Sequence, residues 1–381
     1  MTPKDILTNR TFCPMPWTGL MYNFDGTVKN CIRSNGTIGN INDTSIKDIL
    51  YGPTNTAIQN QIIGQNSVAS CQPCYDLEKG KKGFDHISDR VFYIRELKQV
   101  DTNTYRPNNF NLQTVDARWT NLCNFACVYC SPEYSSRWAD ELSISQSRPA
   151  EKSYQEFKQY VFDRASTLKH VYLAGGEPLL MKENLELLDL LQTTNPDVTL
   201  RINSNLSKTN TNVFDKVCEF KNVHWIVSVE SIEEKFEYIR YGSKWQDFLD
   251  NLHVIKNLKH KISFNMLYFL LNYQNIFDCL KYLQQQGFHN NSFIVGALTG
   301  PDNLDVRHLP DAKITQAKNT ITNWLNNNSS YLLKDGLTNV LNYIQSPMNK
   351  NFNNCVVELK KMDQRRGTNH VAVFPELYND S

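Results

Sequence analysis

The sequence lacks an excess of either charge: 40 Lys and Arg against 39 Asp and Glu leave +1 at pH 7. No overall basic field exists to grip a phosphate backbone, so nucleic acid is not an expected partner. Also missing is any run near the ~20 apolar residues that a bilayer span requires. The opening, MTPKDILTNRTF, has no basic segment followed by an apolar stretch. The expectation is a soluble, cytoplasmic chain without a membrane partner. Long internal repeats and coiled-coil heptads are absent too, which argues against a solenoid or a rod.

Cysteine is what the chain does have, 10 in 381 residues. In a reducing compartment disulfides are improbable, so metal binding becomes the leading use. Seven fall in clustered positions: Cys13, Cys31, Cys71, Cys74, Cys123, Cys127 and Cys130. Cys218, Cys279 and Cys355 are solitary and read as small buried hydrophobes.

From about residue 113 to 300 short apolar runs alternate with amphipathic stretches, the rhythm of parallel βα units. Expected strands are Thr114–Trp119, His170–Leu173, Thr199–Asn203, His224–Val229, Ile262–Leu267 and Ser292–Val295. Helical patterns cover Ser153–Thr167, Asn184–Thr193, Trp245–Leu258 and Asn275–Gln286. Six such repeats suit an open, partial barrel, and a doubly wound sheet fits the same alternation. Residues 1–100, rich in turn signals such as Asn23–Gly26 and Ser34–Gly36, form a separate segment with four of the cysteines. Residues 110–305 are the expected core. Residues 306–381 read as a helical extension with an Asn-rich stretch, Asn349–Asn354.

Cys123, Cys127 and Cys130 lie in Asn121-Leu-Cys-Asn-Phe-Ala-Cys-Val-Tyr-Cys-Ser131, directly after the first expected strand. In βα barrels the loops at that end carry the active site. Three thiolates can hold three irons of a four-iron cubane, leaving the fourth open to an exogenous chelator. A structural zinc site would want a fourth Cys or His nearby, and none is close in sequence.

The spacing of these cysteines, with Tyr129 before the last, resembles the radical S-adenosylmethionine (SAM) superfamily. So does Leu173-Ala-Gly-Gly-Glu-Pro178, which is similar to that family's GGEP motif. The resemblance implies an α/β fold, a partial (β/α)6 TIM-like barrel. It also implies a 4Fe–4S cluster on Cys123, Cys127 and Cys130 whose open iron is chelated by SAM. The backbone of Tyr129 would approach the adenine, and Gly175, Gly176 and Glu177 would receive the ammonium. Asn203 and Asn205 match the polar residues near the ribose. Ser228, and Arg240 in Tyr238-Ile-Arg-Tyr-Gly242, resemble the family's strand-four serine and its carboxylate-binding arginine. Glu230 stands where peptide-modifying members commonly show Asp followed by Gly.

By their chemistry the N-terminal four, Cys13, Cys31, Cys71 and Cys74, suit either zinc or a fully ligated 4Fe–4S cluster. Their surroundings, with Gly26 five residues before Cys31 and Cys71-Gln-Pro-Cys74 closing the set, resemble the SPASM/twitch module. That implies one auxiliary cluster, here placed before the barrel instead of after it.

The implied activity is that of an enzyme: reductive cleavage of SAM to a 5′-deoxyadenosyl radical, which abstracts hydrogen from a peptide, protein or small molecule. A small electron donor of flavodoxin or ferredoxin type would supply the electron. With residues 1–100 given to the cysteine module, no separate leader-binding domain is expected, which shifts weight toward a small molecule. The rival readings are a noncatalytic cysteine-rich zinc protein and an iron–sulfur electron-transfer protein. His308 is expected at the surface or in the core, with a substrate-facing role as the alternative. Asp363–Arg366 and Phe374–Leu377 read as a solvated tail, or as groups folded back over the barrel mouth.

Overall fold

The structure is a computed structural model that describes residues 8–79, 88–97, 104–145, 148–327 and 331–379. Its strands in chain order are β1 (Gly19–Asn23), β2 (Thr27–Lys29), β3 (Gly39–Asn40), β4 (Thr114–Arg118), β5 (His170–Leu173), β6 (Thr199–Ser204), β7 (Val223–Ser228), β8 (Lys261–Tyr268) and β9 (Phe293–Ala297). The N-terminal helices are α1 (Met15–Thr18), α2 (Ile46–Leu50), α3 (Pro53–Ile63), α4 (Gln72–Glu78) and α5 (Asp89–Arg95). Next come α6 (Ser136–Glu141), α7 (Glu151–Phe162), α8 (Lys182–Thr194), α9 (Asn212–Cys218), α10 (Glu233–Ile239), α11 (Trp245–Asn257) and α12 (Ile276–Gln285). The last are α13 (Asp311–Asn327), α14 (Tyr331–Gln345), α15 (Phe352–Arg366) and α16 (His370–Val373). Every strand expected from the sequence forms, with ends that move by one or two residues.

The chain divides into two compact units. The first comprises residues 1–122, 145–203 and 210–224, and its strands run in the order β3-β2-β1-β4-β5-β6. Residues Asn23–Gly26 make the hairpin turn, with Gly26 at φ +91° and its N–H donating to the Asn23 carbonyl at 2.8 Å. A side chain at Gly26 would be strained and would meet Asn40 Oδ1 at 2.5 Å. The strand β1 pairs in parallel with β4, Leu20 against Val115 and Tyr22 against Ala117. That pairing crosses the boundary expected near residue 100, because the hydrophobic face of β1 continues the one on β4. Tyr22, fully buried, stacks on Phe157 of α7 at 4.0 Å.

The second unit comprises residues 123–144, 204–209 and 225–381, with strands ordered β7-β8-β9. From β4 to β6 and from β7 to β9 neighbouring strands follow chain order, as in a barrel, while β1 to β3 add an antiparallel hairpin edge beside β4. The fold is α/β with a mostly parallel sheet, in keeping with a partial TIM-like barrel. Helix α14 lies on β9, and a Cβ at Gly336 would sit 2.4 Å from the Val295 carbonyl oxygen. Close approach thus explains a mid-helix glycine that otherwise costs about 1 kcal/mol relative to alanine.

The C-terminal region is docked, which corrects the expectation of a solvated tail. Glu376 accepts from Lys235 Nζ at 2.9 Å, and its carbonyl accepts from Lys313 Nζ at 2.8 Å. Buried His308 accepts the Asn351 N–H at 3.0 Å, while the Asn351 side chain caps α15 through the Asn354 N–H. His308 therefore braces a helix start. Asp363 accepts from Thr368 Oγ1, Tyr238 Oη and the His370 N–H at 2.7, 2.9 and 2.8 Å. Burial alone would raise its pKa, but these hydrogen bonds hold the carboxyl below the ordinary value of 3.8. The stability it contributes is complete above that value and is lost as pH falls through the folded one. Asp363→Asn is therefore expected to be less stable than wild type at pH 7, with the difference shrinking as the pH is taken progressively below 3.8, as read by denaturant melts across that range.

Candidate metal centres

In the first unit four thiols converge on one cavity. Cys13 precedes α1, Cys31 follows β2, Cys71 ends a short turn and Cys74 lies in α4. Arg33, Asp89, Arg90 and Tyr93 complete much of the wall. None of the four cysteines is disulfide-bonded. Burial pushes the Cys31 thiol up to about 12, with Cys74 adding to it, and pushes Cys74 up to about 11. Cys13 is likewise raised, by burial first and then by Cys31 and Cys71. Such thiols stay protonated until a metal replaces the proton, and mutual repulsion between thiolates is what bound cations relieve.

Buried Arg90 locks the cavity's far side. Its Nε reaches both Glu78 oxygens at 2.9 and 3.0 Å, its Nη2 also binds Glu78, and its Nη1 donates to the Phe12 carbonyl at 2.9 Å. Ser88 Oγ donates to the same carboxylate at 2.5 Å. Neither Glu78 nor Arg90 is marked by the sequence pattern. Only Glu78 lies close in sequence to a cysteine pair, four residues after Cys74.

The GGEP turn also belongs to the first unit. Gly175 has φ +120°, a conformation that favours glycine. A Cβ on Gly176 would stand 2.2 Å from the Leu122 carbonyl oxygen, which already accepts the Glu177 N–H at 2.7 Å. Gly176→Val is thus expected to break the turn and cut the yield of folded, iron-loaded protein several-fold relative to wild type. Glu177 is buried, and its Oε1 accepts the Leu179 N–H at 3.1 Å. Asn203 Oδ1 is buried without a hydrogen-bond partner.

In the second unit Cys123, Cys127 and Cys130 share one loop. The Cys130 N–H donates to the Cys127 carbonyl at 2.9 Å, making a tight turn. The Ala126 and Val128 N–H groups donate to the carbonyls of Tyr241 and Ile239 at 2.9 and 2.8 Å. The loop is thereby tied to the segment that contains Arg240. Cys127 is buried while Cys123 and Cys130 are half-buried, and burial first, then Cys127, pushes the Cys130 thiol up to about 12. Asn205 Nδ2 donates to Asn124 Oδ1 at 3.1 Å and lies 3.9 Å from Cys123 Sγ. Ser228 ends β7 and is half-buried.

Three more expected residues form one buried group. Arg240 Nη1 donates to Glu230 Oε2 at 2.9 Å, and Tyr129 Oη donates to Glu230 Oε1 at 2.9 Å. Glu230 and Arg240 are 1% and 3% exposed. Burial pushes the Glu230 carboxyl up and Arg240 pulls it back. Arg240 Nε, though buried, has no hydrogen-bond partner.

Sequence reasoning missed Trp138, and marked Arg366 only as part of a charged C-terminal group. Trp138 Nε1 donates to the Cys127 carbonyl at 2.7 Å. The Arg366 guanidinium lies 4.4 Å from the Trp138 ring and 4.5 Å from that of Tyr241, with its Nε on Glu141 at 2.9 Å. The expected C-terminal charged group Asp363–Arg366 thus braces the three-cysteine loop from behind.

A radical SAM superfamily model matches residues 118–283, and a SPASM model, described as an iron-sulfur cluster-binding domain, matches residues 13–75. Residues 118–283 are a radical SAM domain. A SPASM-type module precedes the core, and the cofactors of the two are iron–sulfur clusters and SAM. Similar curated proteins include a GTP 3′,8-cyclase of Campylobacter lari, 22% identical over 38% of this chain and 44% of that protein. A 7-carboxy-7-deazaguanine synthase of Clostridium acetobutylicum is 38% identical over 21% of this chain and 31% of that protein. The chain thus spans less than half the length of these relatives. Among solved structures, native anSMEcpe with bound AdoMet shares 17% identity at a TM-score of 0.42, covering 55% of this chain and 58% of that one. Streptococcus suis SuiB bound to S-adenosylmethionine shares 13% at 0.41, covering 74% and 60%. Among the described residues, no helix is long and apolar enough to cross a membrane.

Proposed function

We propose that this chain holds a 4Fe–4S cluster on Cys123, Cys127 and Cys130, cleaves SAM there, and abstracts hydrogen from a small-molecule or peptide substrate. When bound, the cluster and SAM together supply an electron and a 5′-deoxyadenosyl radical, chemistry that side chains alone cannot perform. The observation that carries the reading is the three-thiol loop within the matched residues 118–283. Three buried or half-buried thiols on one turn fit a cubane with one iron left open.

For this chain's own residues, the proposal assigns the backbone of Tyr129 to the adenine and Gly175, Gly176 and Glu177 to the ammonium. Asn203 and Asn205 take the ribose, and Ser228, Glu230 and Arg240 take the amino-acid end. Arg240 keeps a donor for that role, since Glu230 occupies Nη1 and leaves Nε without a partner. Cys13, Cys31, Cys71 and Cys74 take a second 4Fe–4S cluster. Among the described residues no three His, Cys, Asp or Glu side chains stand close enough to hold a single ion. Four thiols spread around one cavity suit a group larger than an ion. A small electron donor of flavodoxin or ferredoxin type provides the electron.

The test is 5′-deoxyadenosine formed from SAM after dithionite reduction of anaerobically reconstituted protein. Formation supports the proposal; iron-loaded protein that makes none across several reductants refutes it.

A further inference from the structure

On the sheet of the first unit one row of side chains stands out. Register places Met21 of β1 beside Asp116 of β4, Asp116 beside Tyr172 of β5, and Tyr172 beside Arg201 of β6. Side chains alternate between the faces of a strand. The intervening Val115, Ala117, Val171, Leu173, Leu200 and Ile202 are buried and apolar, so the charged row occupies the opposite face. Arg118, two residues beyond Asp116 on that same face, donates from Nε and Nη2 to the Asp116 oxygens, both at 3.2 Å.

Arg201 is differently placed. Its guanidinium carbon lies 4.6 Å from the Phe92 ring and 5.3 Å from the Tyr172 ring. Its Nε is buried without a hydrogen-bond partner, and among the described residues the group makes no hydrogen bond or ion pair. Two ring contacts fix the cation, Arg201 as a whole is half-buried, and its buried Nε is left without an acceptor, which costs free energy. Aromatic contacts occupy a guanidinium's faces and leave its edge for acceptors in the plane. That planar fork matches the two oxygens of a carboxylate or a phosphate. Around Tyr172 the charges of Arg118 and Arg201 are set against those of Asp116 and Asp89.

We infer that Arg201 anchors a small anionic substrate through its carboxylate or phosphate group, with the Phe92 and Tyr172 rings holding the guanidinium ready. This rests on the proposed hydrogen abstraction and narrows its substrate class from peptide or small molecule to a small oxyacid.

The experiment measures binding of two probes, inorganic phosphate and acetate, by calorimetry at fixed ionic strength on the anaerobic, cluster-loaded protein. Wild type is expected to bind at least one of them saturably, and the tighter of the two identifies the oxyacid. Arg201→Gln is expected to weaken that binding about tenfold or more, as loss of a charged hydrogen-bonding partner does, and Arg201→Lys to recover part of it. On wild-type protein, phosphate or acetate, whichever binds, is expected to slow phenylglyoxal modification of Arg201 while exposed Arg148 reacts at an unchanged rate. That arm decides the matter if the Gln variant does not fold. Absence of saturable binding, equal binding by Arg201→Gln, or unprotected Arg201 would each overturn the inference. Deoxyadenosine formation by wild type reports the underlying reading separately, so failure of one is not mistaken for failure of the other.

Discussion

A Cys13→Ala, Cys74→Ala protein, purified and reconstituted without oxygen, is expected to carry about four irons per chain where wild type carries about eight, as two four-iron clusters require. The expectation follows from the way the cavity is built. Its thiols come from separate segments before α1, after β2 and at α4, so no one loop can hold a cluster after two are lost. The second set is independent because Cys123, Cys127 and Cys130 lie on a single loop tied by its own backbone hydrogen bonds. The Glu78–Arg90 pair, anchored to the Phe12 carbonyl, remains to hold the emptied cavity. Iron and sulfide analysis checks this. Unchanged iron in the variant would remove the N-terminal cluster from the account.

Glu230→Ala is expected to destabilise the protein by about 3–5 kcal/mol, the usual cost of leaving one partner of a buried ion pair uncompensated. Arg240 is 3% exposed and would lose its carboxylate partner among the described residues, while Tyr129 Oη would lose its acceptor. Glu230→Gln keeps an acceptor for Tyr129 and removes the charge, so it is expected to be milder. Denaturant melts of the two variants against wild type check both size and order. Equal stability in Glu230→Ala would mean that water compensates Arg240 and that the triad is not a rigid support.

The strands of the core were legible because apolar runs such as His170–Leu173 and Thr199–Ser204 are short and bounded by turns, and these form as expected. The cysteine sets were legible because ligand chemistry leaves a local spacing. By contrast β1, only five residues long, could be assigned to the sheet only through its pairing with β4 about 95 positions away, a relation that no local pattern records. The contact of Trp138 with Arg366 escaped for the same reason: it joins residues more than 200 positions apart. Helix α15 begins inside the Asn-rich stretch because Asn351 caps it, so residues marked only by their composition start a helix. The partner of Arg240 was also hidden. Glu230 registered as a departure from a family pattern, and only the fold shows it as the counter-charge.

The central claim, that the three-cysteine loop holds a cluster with an iron open to SAM, is tested most directly by electron paramagnetic resonance. The sample is the Cys13→Ala, Cys74→Ala protein, in which that cluster stands alone, reduced with dithionite and compared with and without SAM. The account predicts a four-iron signal whose shape changes when SAM is added and which vanishes when Cys123, Cys127 and Cys130 are also replaced by Ala. A four-iron signal indifferent to SAM would contradict it.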